Sequence, residues 1–324
     1  MDLLFIIDPL DHIKTHKDSS FAMMREAARR GHGLWVCETH QLVWQHGDRV
    51  TARGAQRLQL SGEAVASAYG SGLKDWWQAP ITRDLPLASV DAVLMRKDPP
   101  FDAEFIYATH LLSQAEREGA RVFNRPSALR EHPEKLSLME FPQWTAPTLV
   151  SRDAEVLRAF HAEQRDVIFK PLDGMGGMGI FRVREDGLNL GAILEQLTHY
   201  GAQTIMAQRY LPEISEGDKR VLVIDGVPVS HALARIPQGG EVRGNLAAGG
   251  RGVAMPLTAR EREAAEALGP ILAARGLLLV GLDLIGGFVT EINVTSPTCF
   301  QEISAQAGLD VAATFLDAVE RRIA

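Results

Sequence analysis

Val167-Ile168-Phe169-Lys170-Pro171-Leu172-Asp173-Gly174-Met175-Gly176-Gly177-Met178-Gly179-Ile180-Phe181-Arg182-Val183 is the stretch on which the fold of this chain turns. Residues 174–179 hold a literal G-x-G-x-x-G. A dinucleotide-binding turn needs a helix after its glycines, because the helix N-terminus holds the pyrophosphate. Here an apolar run, 180–183, follows and reads as a strand. Glu195, the acidic residue about 20 positions on, falls in a helical stretch rather than at a strand end. The dinucleotide reading therefore fails. What remains is a glycine-rich tip between antiparallel strands. It is either a plain flexible hairpin or a flap whose bare N–H groups close over a polyphosphate. Lys170 favours the flap. It shares a strand face with Ile168 and Leu172, where an unpaired ammonium is costly, so a phosphate partner explains it better than a solvated edge does.

Upstream, residues 1 to about 125 alternate strand, helix and strand. The runs are 2–8, 19–30 and 34–38, then 91–95, 101–118 and 121–123. Asp18 or Ser19 caps the first helix and Gly31 ends it. Such alternation predicts a parallel sheet with helices on its faces. Pro126, Pro133, Pro142 and Pro147 then mark a linker with short helices. Downstream, the pattern gives helices over 154–164 and 188–199 and a strand over 204–208. Two hairpin turns follow, Asp225-Gly226 and Gly286-Gly287, each between apolar runs. Helices at about 258–275 and 310–322 complete an α+β region.

Composition narrows the function classes. The 324 residues are 46% hydrophobic and 23% charged, as in ordinary globular proteins. A net charge of −7 argues against nucleic acid or an anionic membrane surface as the main partner. It leaves room for a local basic pocket. Cys37 and Cys299 are too few for a disulfide framework and match no zinc spacing, which points to a reducing compartment. The opening run has no basic segment before its apolar residues and reads as a strand, not a signal peptide. No stretch is long and apolar enough to span a membrane. The expectation is a cytoplasmic protein. His12 and His16 are four apart but lack an acidic third ligand. Cys299 has no histidine near it in sequence and reads as a packed thiol.

The sharpest chemical cluster is Asp283 with Glu291-Ile292-Asn293. Asp283 interrupts the apolar strand 280–285. Glu291 and Asn293, two apart, point to one side of the facing strand, and the Gly286-Gly287 turn brings Asp283 near them. Two carboxylates and an amide are all oxygen donors, which suits magnesium beside substrate phosphates. The run 235–252 is dense in glycine and carries Arg235, Arg243 and Arg251. It reads as a mobile basic lid over an anionic substrate. The loops after residue 8 and at 96–100 follow strand ends of one parallel sheet, the usual ligand edge, so both are expected to face one site.

With these residues in place, the chain resembles the bacterial glutathione synthetases of the ATP-grasp superfamily. The resemblance covers nearly the whole length. Its carriers are residues 17–23, 95–102, 170–177, 217–223, 236–252 and 290–298. It implies an α/β N-terminal parallel-sheet domain over 1–125, followed by an ATP-grasp (α+β) pair over 126–211 and 212–324 that holds ATP between its halves. It implies formation of glutathione from γ-glutamylcysteine and glycine, with ATP cleaved to ADP and phosphate. The family's ATP-contacting lysines fall on Lys135 and Lys170. By itself Lys135 reads as a solvated helix residue. The adenine hinge falls on Gln208, Arg209, Tyr210 and Leu211, and the flap on Gly176 and Gly177. Asp218 is a further expected ATP contact. The magnesium ligands fall on Asp283, Glu291 and Asn293, the same three chosen from the strands. Two ions are expected, with manganese as a substitute. Arg220 and Arg243 join Lys170 as expected catalytic groups. Arg96, Arg235, Arg243, Asn293 and Ser296 are expected to bind substrate. Arg209 stands where relatives often carry a neutral residue. Met178-Gly179 replaces a small or polar pair in the flap. A homotetramer is implied as well.

The chemistry follows from the poor reactivity of a carboxylate. Phosphorylating the cysteinyl carboxylate makes an acyl phosphate that glycine attacks, with no side-chain nucleophile needed. Another ATP-grasp ligase, such as one of the D-alanine–D-alanine type, would share Lys170 and the 283–293 cluster. It would not be expected to share the 96–102 and 236–252 motifs. A non-catalytic nucleotide-binding module would be expected to lose a metal ligand.

Overall fold

A computed structural model describes residues 1–239, 244, 246 and 249–324. Arg243 and six other residues of the expected lid, 240–242, 245, 247 and 248, lie outside the described residues. In chain order the elements are β1 (Asp2–Ile6), α1 (Ser19–Arg29), β2 (Gly33–Cys37), β3 (Leu42–Val43), β4 (Thr51–Leu60), α2 (Gly62–Ala66), β5 (Trp77–Pro86), β6 (Ala92–Met95), α3 (Ala103–Arg117), β7 (Val122–Phe123) and α4 (Pro126–Glu131). There follow β8 (Thr148–Ser151), α5 (Ala154–Gln164), β9 (Val167–Pro171), β10 (Phe181–Val183), α6 (Leu190–Thr198) and β11 (Ile205–Arg209). The last are β12 (Asp218–Ile224), β13 (Val227–Ile236), β14 (Arg251–Pro256), α7 (Ala259–Ala274), β15 (Leu279–Ile285), β16 (Phe288–Asn293), α8 (Phe300–Ala307) and α9 (Val311–Ile323).

These strands form three sheets. In the first, β2, β1, β6 and β7 run parallel, as the alternation predicts. Antiparallel β4, flanked by β3 and β5, extends it beyond β2. The sheet is therefore mixed rather than purely parallel. The second sheet is antiparallel in the order β10-β9-β11-β8, and the third is antiparallel in the order β14-β13-β12-β15-β16. Both predicted hairpin turns are present. Asp225 and Gly226 have φ of 51° and 81°, and Gly286 and Gly287 have 57° and 79°. Two successive positive φ values match the right-handed twist of the flanking strands.

Local signals set the helix starts. Asp18 Oδ1 accepts from the Phe21 N–H at 2.7 Å, capping α1. Thr258 and Glu261 form a reciprocal capping box on α7. The packing then ties distant parts together. Leu3 and Phe5 of β1 pack in one core with Phe21 and Met24 of α1, Leu222 of β12, and Phe315 and Val319 of α9. Leu4 and Val93 of the first sheet share a second core with Val221, Leu268 and Leu282. Phe169, Val183, Leu194 and Ile205 form a smaller core for the second sheet.

Candidate functional site

The three sheets meet at a cleft of about 470 Å³. Lys170 and Gln208 reach it from β9 and β11, and Asp218, Arg220, Asp283 and Glu291 reach it from the third sheet. The loop after β1 contributes His12, Lys17 and Asp18, and the segment after β6 contributes Asp98 and Pro99. The two loops thus face one site, as their places at strand ends suggest.

The lysines come together from opposite sides. Lys170 is buried, with Nζ 3.3 Å from both Gln208 Oε1 and the Thr290 carbonyl. Burial lowers its pKa to about 8, against the opposing charge of Glu291. Lys135, also buried, lies at the start of a short 3-10 turn, Leu136–Glu140. Its Nζ donates to the Gly174 carbonyl at 2.8 Å and to Glu291 Oε1 at 2.8 Å. It thereby joins the root of the glycine flap to β16. Gly176 and Gly177 have φ of 62° and 83°, a conformation glycine adopts without strain, and both line the cleft.

Gln208, Arg209, Tyr210 and Leu211 line the cleft together. Gln208 Nε2 donates to Thr148 Oγ1 at 2.9 Å, which fixes the amide orientation. The Arg182 guanidinium lies 3.4 Å from the Tyr210 ring centroid and pairs bidentately with Asp166. This clamp holds the hinge segment from the β10 side.

The acidic cluster is built across the β15–β16 hairpin, where Asp283 pairs with Glu291 and Gly281 with Asn293. Asp283 is buried and held by two guanidinium groups. Arg220 donates from Nε to Oδ1 and from Nη2 to Oδ2, the latter at 3.0 Å. Arg235 Nη2 lies 2.8 Å from Oδ2. Burial alone would raise the Asp283 pKa, but these two arginines outweigh it and hold the carboxyl well below its ordinary range. Arg235 also donates to Asp218 Oδ2 at 2.6 Å, and Asp218 Oδ1 is buried without a partner among the described residues. Burial raises the Asp218 pKa to about 6, against the lowering effect of Arg235. Asn293 Nδ2 donates to the Gly281 carbonyl at 3.3 Å, and Ser296 lines the same wall.

The donor set fits a hard divalent cation. It is all oxygen, and a carboxylate offers about four lone-pair sites, more than Arg220 and Arg235 use on Asp283. Among the described residues no group of three or more His, Cys, Asp or Glu side chains forms a metal cluster. His12 and His16 are both exposed.

Arg96, expected to bind substrate, sits against the elements that frame the cleft. It is buried beside the cleft and is not among its lining residues. Its Nε donates to Ser20 Oγ at 3.2 Å and its Nη2 to the Pro297 carbonyl at 2.9 Å. Burial lowers its pKa to about 10. It buttresses α1 against the loop after β16. Cys299 is buried, and burial raises its pKa, as a packed thiol requires. Sequence reasoning missed Glu134, whose carboxylate accepts three hydrogen bonds from Val294 and Thr295. It also missed Glu302, which lines the cleft with Oε2 buried and, among the described residues, unpartnered. Neither position carries a pattern that marks it.

Two antiparallel sheets that close on a cleft, one bearing a glycine flap and lysine and the other paired carboxylates, make up the ATP-grasp architecture. Solved structures agree at the level of fold. The crystal structure of D-cycloserine synthetase DcsG matches with a TM-score of 0.68 and 19% identity over 100% of both chains. Residues 134–308 match the family described as prokaryotic glutathione synthetase, ATP-grasp domain, and residues 1–130 match its N-terminal domain. A glutathione synthetase of Ralstonia nicotianae is 58% identical over 99% of this chain and 96% of its own length. One of Nitrosomonas europaea is 56% identical over 100% of this chain and 99% of its own. The chain belongs to the prokaryotic glutathione synthetase family.

Proposed function

We propose that this protein joins γ-glutamylcysteine to glycine at the expense of ATP, giving glutathione, ADP and phosphate. One observation carries the reading: Lys135, Lys170, the flap, the oxygen-donor set and two buried arginines all face one cleft. Lys135 and Lys170 would meet the phosphates, with the flap glycines over them and the 208–211 hinge on the adenine. Asp283, Glu291 and Asn293 would hold magnesium, which supplies charge neutralisation for the phosphate oxygens. The cysteinyl carboxylate attacks the γ-phosphorus and ADP leaves. The glycine nitrogen then attacks the acyl carbon, loses a proton, and phosphate departs with one carboxylate oxygen. Lys170 and Arg220 stabilise the charge that develops. Arg235, Asn293, Ser296 and Arg243 are assigned to substrate contacts, with Arg243 in the lid. Arg96 supports the site from beneath.

No helix among the described residues is long and apolar enough to cross a membrane. The reading extends to a cytoplasmic homotetramer, on the family resemblance. Isotope exchange tests the reaction. With ATP carrying oxygen-18 in the β,γ-bridge, γ-glutamylcysteine alone should scramble the label, and glycine should then yield phosphate bearing one oxygen from the peptide. Release of AMP and pyrophosphate, or ATP cleavage stimulated by D-alanine and not by γ-glutamylcysteine, would overturn the assignment.

A further inference from the structure

β16 is the edge strand of the third sheet, yet it carries two of the three oxygen donors assigned to the cation. The N–H groups of an edge strand alternate: one set meets the neighbouring strand and the other points outward. An edge with free donors is the least constrained part of a sheet. In β16 the outward donors on either side of Asn293 are not free. The Ile292 N–H donates to the Glu134 carbonyl at 2.9 Å, and the Val294 N–H donates to Glu134 Oε1 at 2.9 Å. The same Oε1 accepts from the Thr295 N–H at 3.1 Å and from Thr295 Oγ1 at 2.9 Å. One residue therefore does the work of an additional strand, at the three positions 292, 294 and 295 around Asn293. The next residue, Lys135, then reaches Glu291 Oε1 at 2.8 Å.

We propose that Glu134 is a positioning residue for the divalent cation. It clamps the outer edge of β16 so that Glu291 and Asn293 face the ion together with Asp283. The inference rests on the assignment of those three as ligands. Groups that orient metal ligands from outside typically change affinity by about 10- to 100-fold when altered. What matters here is the reach of one acceptor oxygen, not the charge it carries.

Two substitutions separate reach from charge. Glu134→Asp keeps the charge and withdraws the oxygen by one methylene. Glu134→Gln keeps an acceptor oxygen at full reach and removes the charge. Manganese binding to the full-length protein with ADP, followed by electron paramagnetic resonance, is the readout, with Glu291→Gln as the control. E134D should weaken manganese binding by about tenfold or more. E134Q should stay within about threefold of the parent, since its acceptor is in place. E291Q should lose the ion. If E134D binds manganese as the parent does while E291Q does not, or if E134Q is as weak as E134D, the positioning role is wrong. If E291Q keeps its manganese, the ligand assignment beneath it fails instead.

Discussion

Lys170 shows how burial sets the working range of a single group. Its ammonium is the form that attracts phosphate, and burial lowers its pKa to about 8. Free enzyme should then lose phosphate affinity as pH rises through about 8, and kcat/KM for ATP reports on free enzyme. That parameter should fall above pH 8 and hold a plateau from there down to about pH 6, where Asp218 takes up a proton. Lys170→Arg, whose charge persists to high pH, should flatten the limb; an unchanged limb in that variant would assign it to another group. A second residue-scale outcome concerns Gly281. A Cβ there would sit 2.8 Å from Arg220 Cδ, and Arg220 is held on Asp283. Gly281→Ala should lower kcat/KM for the peptide substrate on the order of tenfold to a hundredfold, since ångström shifts at reacting groups cost that much. Steady-state kinetics beside a melting curve separates this from unfolding, and parental kinetics would remove Arg220 from the machinery. Asp283, Glu291 and Asn293 were legible in the sequence because polar side chains interrupt apolar strands. Lys135 was not, because its partners lie 39 and 156 positions away. Nothing local marks a lysine whose environment the fold supplies.

At the scale of elements, Glu261 adds a charged link between α7 and the third sheet beside the apolar packing of Leu268 on Val221 and Leu282. Glu261 Oε2 accepts from the Thr258 N–H at 2.9 Å, closing the helix cap, while Oε1 meets Lys219 Nζ of β12 at 2.7 Å. Both side chains are buried. Removing one partner of a buried pair strands the other charge, at about 3–5 kcal/mol. Glu261→Ala should lower the chemical denaturation midpoint accordingly while leaving KM for ATP unchanged. A loss under 1 kcal/mol would mean that water reaches Lys219. The two hairpins of the third sheet were legible because Asp-Gly and Gly-Gly permit positive φ. The β3–β5 extension was not. Its long pair, β4 and β5, slips register between Ala52 and Ala55 and again between Arg57 and Gln59. Bulges break the period-two pattern that identifies a strand.

Across the whole molecule the cores are unequally connected. The first and third sheets share two cores, whereas the second sheet relies mainly on a small one of its own. Native-state hydrogen exchange should therefore show β9 and β10 opening at lower free energy than β1 or β12. Ligand that bridges Lys170 and the third sheet should close that gap. A non-hydrolysable ATP analogue with magnesium at 100 times its Kd stabilises by about 2.7 kcal/mol. Protection should rise most in β9 to β11; equal gains everywhere would argue that the sheets already open together. The parallel core of the first sheet and the hairpins β9–β10, β12–β13 and β15–β16 were readable from the order of elements, whereas β8, β14 and the order of strands within the last two sheets were not. Nor was the mutual packing of the sheets, because it joins residues hundreds of positions apart.

The place of α9 bears on how the protein is made. Phe315 and Val319 complete the core that begins with Leu3 and Phe5, and the Arg30 guanidinium reaches the Ala313 carbonyl across 283 positions of chain. At about 5–20 residues per second, a ribosome delivers α9 some 15 to 60 s after α1. Through that interval the nascent first sheet presents an open apolar face. A nascent chain that lacks α9 should therefore bind a chaperone that shields apolar surface more than the finished chain does.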